Sequence, residues 1–91
     1  MKPQFKTLYD LVDALHNYAL KGRDSLLRND EAKIVGVQIR TIKRELARLQ
    51  AAEQISDELR REAVAIIDRV EITSQSGATI LEALLKRIKE V

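Results

Sequence analysis

The sequence predicts an all-α protein, a small four-helix bundle-like domain with one long helix. Three observations carry this. Helix breakers are scarce, with one Pro at position 3 and three Gly at 22, 36 and 77 in 91 residues. Good helix formers fill most of the remainder. Apolar residues recur in steps of three and four, and no stretch alternates with period two, which reads as helix and excludes sheet.

Each element follows from such a stripe. Phe5, Leu8, Val12, Leu15 and Ala19 mark a first helix over 5–21, closed by a C-cap at Gly22 after Lys21. Asp24 or Ser25 suits the N-cap of a second segment over 24–53, whose stripe is Val35, Ile39, Ile42, Leu46 and Leu49. Ser56 ahead of Asp57 and Glu58 opens a third helix over 57–72, because acids in a first turn favour the helix dipole. Its stripe is Leu59, Ala63, Ile66 and Val70. The run Thr73-Ser74-Gln75-Ser76-Gly77 reads as a loop. Leu81, Leu84, Ile88 and Val91 then mark a last helix over 77–90, with Lys86, Arg87 and Lys89 in its final turns. Ile67, Ile80 and Leu85 widen the stripes, as suits helices that touch more than one neighbour. Residues 1–91 thus form a single domain, without repeat, linker or low-complexity segment.

The second segment admits two readings that turn on Gly36. As one helix it is about 45 Å long at ~1.5 Å per residue. Its five stripe residues then fall within roughly 80° of arc, with Lys33, Arg40, Arg44 and Arg48 opposite, at ~100° per residue. Ile39 is core in this reading and Val37 is stranded on the basic side. With a turn at Gly36, residues 32–49 (Ala-Lys-Ile-Val-Gly-Val-Gln-Ile-Arg-Thr-Ile-Lys-Arg-Glu-Leu-Ala-Arg-Leu) instead resemble the helix-turn-helix of the winged-helix repressors of bacterial sugar operons. The resemblance rests on a small residue four before the glycine, an apolar residue after it, Thr41-Ile42, a basic pair, and two leucines three apart. It implies that Gln38, Ile39, Arg40, Lys43 and Arg44 face DNA while Val37, Ile42, Leu46 and Leu49 are buried. The sequence departs from the family at Gln38 and Ile39, and Ser56–Val91 reads as two helices where the family has a β-wing. The two readings exchange Val37 and Ile39 between core and surface.

The chemistry available narrows the function. The chain is 45% hydrophobic and 33% charged, with sixteen Lys and Arg against fourteen Asp and Glu, so it reads as globular and carries no basic tail. It has no cysteine, hence no disulfide, thiolate nucleophile or Cys-type zinc site. No apolar run approaches the ~18 residues of a spanning helix. Met1–Asp10 lacks an apolar signal core, which points to the cytoplasm. His16, the single histidine, has Asp13 three residues before it but no second His to complete a metal site. The carboxylates alternate with Lys and Arg, as in an ion-paired surface, and none forms an acid–base pair in a recognisable cleft. No catalytic residue, metal or cofactor is therefore expected, and no small-molecule substrate.

What remains is a basic stripe. Lys33, Arg40, Lys43, Arg44 and Arg48 suit the backbone of a nucleic acid or an acidic protein, since guanidinium offers forked donors to phosphate and carboxylate. Residues 1–52 hold ten Lys and Arg against six Asp and Glu, and residues 53–91 hold six against eight, so the chain is polarised. The three aromatics, Phe5, Tyr9 and Tyr18, all lie in the first segment, away from the stripe, which argues against base stacking. Phe5, Tyr9, Leu81 and Leu85 are candidate protein-interface residues. The expectation is a non-enzymatic interaction module, an adaptor or small subunit that docks a protein or itself, for example in a ribonucleoprotein. The alternative is a DNA-binding regulator using residues 32–49.

Overall fold

The structure, a computed structural model, describes residues 1–24, 29–70 and 75–91, leaving aside the side chains of 22–24 and 75. After a 3-10 turn at Pro3–Phe5 come four helices, α1 (Lys6–Asp24), α2 (Asn29–Ala51), α3 (Asp57–Arg69) and α4 (Gln75–Glu90). No strand occurs among the described residues. Asp24 is the last residue of α1 and so is not the N-cap of the second helix, which starts at Asn29. The cap expected at Ser25 and the loop residues Thr73 and Ser74 lie outside what is described. α1 runs past Gly22, and α4 starts at Gln75, so Gln75, Ser76 and Gly77 belong to a helix and not to a loop.

Successive helices are antiparallel. Lys21 of α1 meets Glu31 of α2, and Lys43 of α2 meets Asp68 of α3. Gln50 Nε2 donates to Asp57 Oδ1 at 2.6 Å, and Arg87 of α4 lies 3.7 Å from Glu62 of α3. Lys89 sits over the Tyr9 ring, 5.3 Å from its centroid, which brings the end of α4 back to the start of α1. The bundle is therefore up-down-up-down, 39 × 22 × 21 Å. α1 packs most extensively on α4, then on α2, while α3 closes the far side against α2 and α4.

One cluster forms the core. Phe5, Leu8, Val12, Leu15 and Ala19 of the first segment join Val35, Ile42, Leu46 and Leu49 of α2. Leu59, Ala63 and Ile67 come from α3, and Ala78, Leu81, Leu84, Leu85 and Ile88 from α4. The stripes read from sequence are largely those the fold buries, with Ile67 deeper than Ile66 and with Ile39, Val70 and Val91 half-buried at the margin. No helix among the described residues is long and apolar enough to cross a membrane.

The α2–α3 corner shows how local chemistry sets direction. α2 ends in a Schellman motif in which Gln54 N donates to Leu49 O and Glu53 N to Gln50 O. Glu53 takes the left-handed position at φ 57, where glycine is usual. Ile55, 7% exposed, anchors the turn, and Ser56 Oγ then accepts from Leu59 N at 3.1 Å as the N-cap of α3.

Candidate docking surface

α2 carries no break at Gly36. The helix is continuous from Asn29 to Ala51, Val37 is 52% exposed and Ile39 is half-buried. Gln38 turns inward, and its Oε1 is buried without a hydrogen-bond partner. These are the positions expected of one straight helix, because Val35, Ile39, Ile42, Leu46 and Leu49 share a face only if the 3.6-residue period runs unbroken. The turn implied by the repressor resemblance is not present, and Val37 lies outside the core and Ile39 partly within it.

The five basic residues of the stripe part company. Lys33, Arg40 and Arg44 are exposed and make no ion pair with any described residue. Lys43 leans toward α3 and pairs with Asp68. Arg48 is held by Glu45, its Nε donating at 2.6 Å to Oε1 and at 3.2 Å to Oε2. That hydrogen bond, and then the Glu45 charge, raise the Arg48 pKa still further, so its guanidinium stays charged at any working pH. Three free cations therefore remain on the outer face.

Beside them lies an apolar seam between α1 and α2. Leu11, Ala14 and Tyr18 of α1 are half-buried along it. Ile34, 43% exposed, and Val37 stand out from α2 on the same side. Toward the C-terminal end of α2 the seam opens into a groove of about 370 Å³ lined by Thr7, Leu11, Thr41, Arg44, Glu45 and Arg48. Thr41 Oγ1 donates to Val37 O at 2.8 Å, so the Thr41 hydroxyl is already satisfied within α2.

The apolar interface expected from sequence needs correction. Phe5, Leu81 and Leu85 are 1%, 0% and 6% exposed, and they belong to the core of this chain. The reason is that α1 and α4 present their stripes to each other, which uses the faces assigned to a partner. Tyr9 is half-buried beneath Lys89. Among the described residues the exposed large apolar side chains are Met1, Ile34 and Val37, the last two on α2 and off its main stripe. The sequence marks Val37 as a misfit but hides Ile34, because nothing in helix spacing shows where the neighbouring helix stops.

His16 lines a second groove, between α1 and α4, with Asp13, Glu82, Lys86 and Lys89. Its Nε2 is buried without a hydrogen-bond partner. No group of three potential metal ligands occurs among the described residues. Compared with known proteins, the chain matches no family model, no curated sequence and no solved structure.

Proposed function

We propose that the chain is a non-enzymatic interaction module, a small subunit that docks another protein surface along the seam between α1 and α2. The observation that carries this reading is the placement of Ile34 and Val37. They are large, apolar and exposed, and they sit beside a groove whose walls are largely apolar. The basic residues flank that strip and serve as its polar rim, where charge contributes orientation and association rate more than affinity.

A nucleic-acid backbone is the less supported partner. Two of the five basic side chains are engaged by Asp68 and Glu45, and the salt-dependent gain from counterion release scales with the number of phosphates neutralised. The regulator reading needs a helix-turn-helix, and the continuous α2 supplies no turn for it.

The deciding experiment is a titration with mixed-sequence duplex DNA and with single-stranded RNA at low and moderate salt, beside an Arg40→Ala/Arg44→Ala/Arg48→Ala variant. The expected result is weak association at low salt that vanishes at moderate salt. Firm binding at moderate salt that is lost in the triple variant would replace the docking reading with a nucleic-acid one. A preference for duplex would then favour the regulator, the alternative read from the sequence.

A further inference from the structure

From the self-complementary shape of the seam we infer that its occupant is a second copy of this chain, set antiparallel across a two-fold axis. The inference rests on the docking role proposed above and names the partner.

The outer ridge of α2 is Asp30, Ile34, Val37, Thr41, Arg44 and Arg48. Its steps of four and three are the spacing of a coiled-coil seam, and it spans about 80° at ~100° per residue. The spacing is symmetric about residue 39. Turned end for end about that point, Ile34 falls opposite Arg44 of the copy, Val37 opposite Thr41, and Asp30 opposite Arg48.

Shape follows the same symmetry. The exposed knob, Ile34, and the groove around Thr41, Arg44 and Arg48 lie on one seam, about ten residues or ~15 Å apart along α2. One two-fold operation therefore seats each copy's Ile34 in the other's groove and fills both at once, the defining property of an isologous contact. The Arg44 stem can pack against the incoming Ile34 while its guanidinium reaches solvent. Thr41 can be covered by the copy's Val37 without stranding a donor, since its hydroxyl already bonds Val37 O of its own helix.

Charge selects the direction. On the ridge, the first turn of α2 carries Asp30 and the last turn Arg48, while Glu31, 5% exposed and paired with Lys21, faces inward. Antiparallel pairing sets acid over base at both ends, whereas parallel pairing sets arginine over arginine. Asp30 has a bond of its own within the chain and Arg48 is held by Glu45, so direction rests on the sign of these charges and not on a vacant donor or acceptor.

Sedimentation of the full chain across micromolar to millimolar concentration tests this, beside Ile34→Asp/Val37→Asp. The wild type should pass reversibly from 10.4 kDa to twice that mass. The double variant should dissociate at least ~30-fold more readily, the effect of removing a central anchor worth ~2 kcal/mol, with unchanged helicity. A wild type that stays monomeric throughout overturns the second copy and leaves the seam open to another protein. A dimer that persists in the double variant overturns the seam as the contact between copies and places self-association on another face. Register is checked separately, because the chain has no cysteine of its own. Val37→Cys protein mixed with Thr41→Cys protein should form the mixed disulfide faster than either forms its own, and the reverse order would overturn the antiparallel register.

Discussion

The two flanks of α1 differ in how far they are closed. Toward α4, stripe meets stripe, and the buried residues of both helices are at most 6% exposed. Toward α2, the inner half of the contact is nearly as dry, through Val35, Ile42, Leu46 and Leu49, but the outer half stays open over Leu11, Tyr18, Ile34 and Val37. Among the described residues, the large apolar side chains left exposed are Met1 at the start of the chain and Ile34 and Val37, which share one ridge of α2. If stability resides in the closed flank, substitutions there and on the open ridge should differ sharply in cost.

The largest test of that contrast pairs one substitution from each flank. Leu15→Ala removes a fully buried side chain and should lower unfolding free energy by ~2–5 kcal/mol, the usual range for such a cavity. Val37→Ala on the open ridge should stay within ~0.5 kcal/mol in dilute solution, as exposed substitutions do. Urea unfolding followed by circular dichroism measures both. Similar losses from the two variants would mean that the ridge is part of the fold after all.

A smaller effect is expected at the corner that seats α3 on the closed side. Ser56→Ala deletes the acceptor for Leu59 N and should cost about 1 kcal/mol with no change in the helices once folded. If the loss is negligible, Ile55 and not the cap holds the corner.

Much of this was legible in the residues. Period and breaker count predict four helices, because a stripe in steps of three and four can be buried only as a helix face. Ser56 marks the start of α3 because a capping oxygen leaves a chemical signature. The end of α2 carries none, since the left-handed position is filled by Glu53 where a glycine would have announced it. The candidate site was half legible. Side-chain type locates Arg40, Arg44 and Arg48, but whether a cation is free depends on the helix beside it. Lys43 is neutralised by Asp68, twenty-five positions further along the chain, and only the packing of α3 on α2 brings the two together. Phe5, Leu81 and Leu85 fail as interface residues for the same reason, since an amphipathic stripe does not say which surface covers it.

The smallest expected effect bears on the open flank most directly. Gly36 lies mid-helix in α2, and a Cβ built there meets nothing within 4 Å. No described glycine has positive φ, so no left-handed conformation requires it. Gly36→Ala should therefore stabilise the fold by ~0.5–1 kcal/mol, because alanine gives up less backbone entropy in a helix interior. The sign discriminates between the two readings of this segment. In a straight α2 the alanine only stiffens the helix that carries the ridge, and thermal unfolding should move upward. A turn at Gly36 would need the conformational freedom that alanine lacks, and the same substitution would then lower stability. Because the substituted position faces neither the core nor the ridge, a gain in stability should leave self-association through Ile34 and Val37 intact. Tighter association in Gly36→Ala would mean that the free helix flexes there, and that binding straightens it.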